Sequence, residues 1–298
     1  MFIRQFSYLV ALAREKHFAR AAAACNVTQP TLSAGIQKLE RELGLPMIER
    51  GHHFIGLTPE GERVLKWAQR IIADFDGLKQ DLTNAGQGLS GVLRLGAIPA
   101  ALPAISLLTG PFCARNPGVA IQVQSMTSIA IQRSLDSFDL DAGLTYLENE
   151  PLNHVQRLPL YTERYMFVAK TAFLGDVPET MSWAEAATYP LCLLQPDMQN
   201  RRIINQIFRE IGIQPRPRIE TNSYDGILAH VRHGAYCSIL PHPHCQSFGP
   251  AEKISTIPLV DPIHTQSIGL VAADRDPLLP VIAAFLHFAA ELNLDRVH

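Results

Sequence analysis

Phe18-Ala-Arg-Ala-Ala-Ala-Ala-Cys25-Asn-Val-Thr-Gln-Pro-Thr-Leu-Ser-Ala-Gly-Ile-Gln-Lys-Leu-Glu-Arg-Glu-Leu43 is the stretch on which the fold turns. Alanine has the best helix propensity, so its first part reads as a short, tightly packed helix. Cys25-Asn26-Val27 breaks that helix. Thr28 can cap a second one by accepting a free backbone N–H, and Pro30 falls in the first turn, where a missing N–H costs little. Leu32, Ile36, Leu39 and Leu43 recur at helical spacing and make one apolar stripe. The opposite face carries Gln29, Thr31, Ser33, Gln37, Lys38 and Arg41. Two helices so joined, the second polar and rich in donors, have the shape that fits the DNA major groove. The pattern alone also suits an ordinary helical hairpin with a solvated face; the neighbouring sequence favours the first reading.

Upstream, Phe2, Phe6, Leu9, Val10, Leu12 and Ala13 predict an amphipathic helix that packs on the hairpin. Downstream, Gly44 is a helix stop. Pro46 to Leu57 reads as two short strands around a Gly51-His52-His53 tip, a wing that would bring Arg50, His52 and His53 near phosphates or a minor groove. Thr58-Pro59-Glu60 opens another helix, with Thr58 as cap and Pro59 first. In it Val64, Ala68, Ile71, Phe75, Leu78 and Leu82 follow at spacings of four and three, a heptad seam that favours pairing with a second helix. The competing reading is a long helix packed on its own domain. Extended to about Ala85, the helix would be roughly 40 Å long at ~1.5 Å per residue.

Charge divides along the same line. The 298-residue chain has a net charge of −2, but residues 1–70 hold 10 Lys and Arg against 6 Asp and Glu, and the remainder holds 16 against 22. A basic end joined to an acidic remainder fits phosphate contact by one end only. No apolar run reaches membrane-spanning length and the N-terminus does not read as a signal peptide, so the chain is expected to be cytoplasmic. Five cysteines without paired spacing point to reduced thiols.

Gln87-Gly88-Leu89-Ser90-Gly91 reads as a hinge, after which strands and helices alternate. Strands are predicted at 92–96, 120–125, 140–147, 166–170, 191–195, 218–222, 236–240 and 266–273. Helices are predicted at 101–113, 127–138, 183–187, 201–211, 226–233 and 280–292. Alternation of this kind implies a parallel sheet with crossover helices. Two α/β lobes with a late return segment suggest a ligand cleft between them.

Phe18, Ala21-Ala22, Val27-Thr28-Gln29-Pro30, Leu32-Ser33, Ile36, Leu39-Glu40, Leu43-Gly44, Arg50, Leu57-Thr58 and Gly61 together closely resemble the LysR family of bacterial transcriptional regulators. A weaker resemblance runs through the rest, including Gly234 and Ile239-Leu240-Pro241. It implies an α/β class chain: a winged helix-turn-helix over 1–58, a linker and dimerisation helix over 59–88, and a two-lobed, periplasmic-binding-protein-like effector domain over 89–298. Lobe I would hold 92–161 and 267–298, and lobe II 162–266. The family further implies homodimers assembling to homotetramers. In overall similarity the chain resembles members that sit beside formate dehydrogenase operons. It departs from the family at Met47-Ile48, usually Leu-Phe, at Gly35 inside the recognition helix, and at His52 and His53, where Arg or Lys is common.

For double-stranded DNA, the expected contacts are Thr28, Gln29, Pro30, Thr31, Ser33, Gln37 and Lys38 on the second helix, with Arg50 on the wing. Gln bonds adenine through two groups, and Lys reaches guanine or phosphate. For the effector, the family's ligand positions fall here on Pro99, Ala100, Ser125, Thr127, Ser128, Thr145, Gln195 and Asn222. Hydroxyls with free N–H groups at a helix start, as at Thr127 and Ser128, make an anion seat, so a small carboxylate or similar anion is expected. The same two residues would serve equally as plain caps. No cofactor, resident metal or catalytic residue is expected. The rivals are a metal sensor built on His230, His233, His242, His244 and Cys245, a thiol sensor on Cys237 and Cys245, or an enzyme using the lobes. The last lacks any acid/base or nucleophile constellation.

Overall fold

The computed structural model describes residues 3–49, 54–246, 248–275, 277–292 and 294. The chain divides into two compact units: Met1–Ser90 with the turn Asp136–Asp139, and Gly91–Leu135 with Leu140–His298.

The first unit is helical, with α1 (Ile3–Glu15), α2 (Phe18–Ala24), α3 (Gln29–Leu43) and the 29-residue α4 (Pro59–Gln87). Each start has a chemical cause. The His17 ring caps α2, Thr28 accepts the Thr31 N–H at 3.4 Å, and Thr58 accepts the Gly61 N–H at 2.9 Å. Gly44 ends α3 at φ 71°, a left-handed conformation that glycine adopts without strain. Three quarters of the predicted stripe is core: Leu32, Ile36 and Leu39 are fully buried with Leu9, Leu12 and Met47, whereas Leu43, at the end of α3, is 38% exposed. Gly35 lets α1 approach, because a Cβ there would stand 2.6 Å from the Tyr8 ring. Close approach to another helix is therefore its use.

Two expectations change here. The wing is not a pair of strands among the described residues; one antiparallel bridge, Ile48 with Leu57, closes it. The loop is fixed instead by Glu40, whose Oε1 accepts the N–H of Met47 at 2.8 Å and of Ile48 at 3.3 Å. Arg50, Gly51, His52 and His53, and also Phe2, lie outside the described residues. The heptad seam divides too. Ala68 is fully buried in the unit's own core, with Val64 and Ile71 packed against that core. Leu78 and Leu82 remain 54% and 69% exposed. The reading of a helix packed on its own domain thus holds for the first half of the seam only.

The second unit runs β1 (Ser90–Ala97), a 3-10 turn (Pro99–Ala101), α5 (Leu102–Arg115), β2 (Gly118–Ser125), α6 (Ser128–Asp136), β3 (Ala142–Tyr146), β4 (Val155–Lys170), α7 (Thr171–Leu174), β5 (Met181–Ser182), α8 (Trp183–Ala186), β6 (Cys192–Leu194), α9 (Gln199–Glu210), β7 (Ile219–Thr221), α10 (Tyr224–Arg232), β8 (Ser238–Pro241), α11 (His242–Cys245), β9 (Ile254–Val260), β10 (Thr265–Ala273) and α12 (Pro280–Glu291). The main sheet has the order β2-β1-β3-β10-β4-β9-β5, with β8 also on β4. The sheet is mixed, not parallel as expected. β1 and β3 are parallel, but β10 runs antiparallel to both β3 and β4. The cause is the 16-residue β4, which leaves one lobe and enters the other as a single strand, while β10 returns beside it. The expected lobe boundaries at 161/162 and 266/267 fall inside these two strands. A second sheet pairs β6 with β7 in parallel.

Candidate functional site

Two regions carry chemistry. In the first unit, the face of α3 opposite its buried stripe leaves Gln29, Pro30, Thr31, Gln37 and Lys38 exposed, with Thr28 exposed at the cap and Ser33 half-buried. Thr28 and Thr31 join their hydroxyls at 2.8 Å, and Lys38 lies 3.9 Å from Glu42. Gln29 and Gln37 stand two turns apart on this face, with two-headed amides suited to base edges.

In the second unit, a cleft of about 70 Å³ is lined from both lobes. That is well under the usual size of a drug-like ligand site and leaves room for only a few heavy atoms. Three helices begin on its wall: α6 at Ser128, α9 at Gln199 and Asn200, and α10 at Tyr224, joined by the 3-10 turn at Pro99 and Ala100. Helix starts carry partial positive charge and unused N–H groups, so their convergence favours an anion. Thr127 both lines the cleft and caps α6, its Oγ1 accepting the Ala130 N–H at 3.2 Å. The full charges at the rim are Asp197 and Arg202, and the guanidinium is engaged by both Glu150 carboxylate oxygens at 2.7 Å.

Beneath the cleft lies a polar chain. Asn200 Nδ2 donates to the Tyr146 hydroxyl at 3.1 Å, and that hydroxyl donates to Glu163 Oε1 at 2.9 Å. Glu163 is fully buried, and burial pushes its carboxyl up to about 8, against the hydrogen bond from Tyr146, which favours the ionised form. His244 stacks on Tyr224 with ring centroids 3.9 Å apart. Its Nε2 reaches the Pro99 carbonyl at 3.1 Å. Burial lowers it to about 4, so it is a neutral donor at neutral pH. Glu163 Oε2, the Tyr224 hydroxyl and Gln199 Oε1 are enclosed without a direct hydrogen-bond partner in the protein.

Of the eight expected effector residues, Pro99, Ala100, Thr127 and Ser128 line this cleft. Ser125, Thr145, Gln195 and Asn222 do not. Adjacent strand residues face opposite sides, so on β3 Tyr146 reaches the cleft in place of the buried Thr145. After β6 the lining begins not at Gln195 but at Asp197 and the start of α9; after β7 it is Tyr224, not the exposed Asn222. The chain Asn200–Tyr146–Glu163 carries no sequence signature, since its members lie on three separate elements.

The first part of the chain, residues 3–62, matches the model of the bacterial regulatory helix-turn-helix protein, lysR family, and residues 86–293 match the LysR substrate binding domain. The chain belongs to the LysR family. As a LysR regulator it is a DNA-binding transcription factor with an effector-binding domain, not an enzyme. Similar relatives include the transcriptional dual regulator OxyR of Escherichia coli, 28% identical over 93% of this chain and 91% of that one. An SDS degradation transcriptional activation protein of a Pseudomonas species is 32% identical over 80% and 78%. A full-length OxyR variant from Pseudomonas aeruginosa superposes with a TM-score of 0.78 at 25% identity, over 99% and 97%. CbnR in complex with its target DNA shares the fold at a TM-score of 0.68 and 22% identity, over 98% and 99%. No helix among the described residues is long and apolar enough to cross a membrane.

Proposed function

We propose that this LysR regulator reads duplex DNA through Gln29, Thr31, Ser33, Gln37 and Lys38, positioned by Thr28 and Pro30 and assisted by Arg50, and answers a small anion. The observation that carries the effector class is the meeting of the α6, α9 and α10 starts on one cleft wall. The regulator acts in the cytoplasm, as a homodimer assembling to a homotetramer. Its anion shifts the lobes, and with them the spacing and bend of the bound DNA. A formate dehydrogenase operon is the proposed target, on overall resemblance.

Calorimetric titration with formate and other small carboxylates tests the seat. Thr127→Ala is expected to weaken the binding acid about tenfold, the worth of one charge-assisted hydrogen bond. Equal affinity in the variant would remove Thr127 from the seat.

The likeness to OxyR raises a thiol-sensing alternative, which four of the five thiols, Cys237 and Cys245 among them, do not favour. A redox sensor needs an accessible, low-pKa thiolate. Burial pushes Cys192 up to about 11 and Cys237 and Cys245 up to about 12, and it raises Cys25 as well. No cysteine lines the cleft. For metal sensing, the described residues hold no group of three or more His, Cys, Asp or Glu that could bind an ion. His230 Nδ1 lies 2.6 Å from the Gly226 carbonyl, and His242 Nδ1 accepts the Arg164 N–H at 3.0 Å.

A further inference from the structure

A buried carboxyl under an anion seat is an unexpected pairing. Two negative charges would repel through a low-dielectric wall, so one of them must be neutral for both to be present. The groups facing Glu163 are hydroxyls and amides. They are Tyr146 from β3, Tyr161 and Tyr165 from its own strand, Tyr224 from α10, and Asn200 of α9 through Tyr146. Gln266 is its register partner on β10. The histidines stand one layer back: His242 against Tyr161 at 6.1 Å, His264 against Tyr165 at 6.2 Å, and His244 on Tyr224. Asp197 and Arg202 are at the rim.

Resting on the anion-seat reading above, we propose that Glu163 is the proton partner of the effector: the cleft takes a small anion with Glu163 protonated, so that ligand and proton bind together. Tyr146 and Asn200 join the two events. The carboxylic acid keeps Oε1 as acceptor for Tyr146, and protonation removes the charge from an Oε2 that no donor compensates. Above the titration of Glu163, each anion bound takes one proton from solvent.

The linkage has a sign that needs no ligand to observe. A carboxyl whose folded pKa is raised binds its proton more tightly when folded, so the stability it contributes is complete below about 4.5 and is lost as pH rises through about 8. Glu163→Gln, which cannot ionise, is expected to melt closest to the full-length wild type below about pH 4.5, to stand above it already at pH 6, and to lead it by several more degrees at pH 9.

The binding arm uses sodium formate, acetate and sulfate, ionised throughout this range, against sodium chloride at equal ionic strength. The expected result is that at least one raises the wild-type melting temperature at pH 6. Its apparent affinity falls at least tenfold by pH 9, and in Glu163→Gln it is the same at both. A wild-type affinity equal at pH 6 and pH 9, or a fall that persists in Glu163→Gln, overturns the proton link and leaves the anion seat standing. No response above chloride from any of the three, in either protein at either pH, overturns the anion class and the link with it.

Discussion

A chain carrying Leu78→Glu and Leu82→Glu is expected to sediment as a monomer and to lose about 10²- to 10⁴-fold in affinity for its operator, the range set by linking two binding modules. The first half of α4 needs no partner, because Val64, Ala68 and Ile71 pack on the core formed with α1 and α3. The second half continues the same spacing through Phe75 into leucines that stay more than half exposed. Covering one such leucine is worth about 1.5–3 kcal/mol, and facing glutamates would replace that gain with repulsion. The folded unit should survive, since neither leucine belongs to its core. Analytical ultracentrifugation with a matched gel-shift titration reads both effects; a dimer with unchanged affinity would place the pairing surface elsewhere.

Gly61→Ala is expected to destabilise the N-terminal unit by about 3 kcal/mol or more, at the severe end for overpacking. The added Cβ would be driven into the backbone carbonyl of Met47, a group that cannot swing aside. That carbonyl accepts the Thr58 N–H at 3.0 Å, and the Thr58 hydroxyl donates to the Pro46 carbonyl at 2.7 Å while capping α4. The loop and the start of α4 are thus one rigid joint. Circular dichroism melts of the full chain should show the earliest transition shifted down, with DNA binding lost at the same temperature. A melt within a degree of wild type would mean the joint can yield.

These two sites mark what could be read in advance. Thr28, Gly44, Thr58 and Pro59 act through nearest neighbours, so chemical type and spacing announced the ends of α3 and the start of α4. The α3 stripe was legible because burial there follows one helical period. Gly61 carried the family resemblance, but its reason, the Met47 carbonyl, needs the fold. The α4 seam could not be divided in sequence: apolar spacing looks alike whether the partner is α1 or a second chain. The residues 155–165 at the start of β4 alternate poorly, with Arg157, Pro159 and Glu163 among them, so the strand that makes the sheet mixed was missed. Glu163 was invisible for the same reason. A lone acid in a run of mixed polarity becomes a buried partner of Tyr146 only when β3, β4 and the start of α9 come together.

Every other assignment depends on the exposed face of α3 reading duplex DNA. It is tested by fluorescence anisotropy of the full chain on the promoter of its own gene, with Gln29→Ala/Gln37→Ala beside it, across salt concentrations. Both proteins are expected to bind with steep salt dependence, the double variant losing at least tenfold on the promoter yet binding unrelated duplex as wild type does. Equal preference for promoter over unrelated duplex in the two proteins, or binding indifferent to salt, would contradict it.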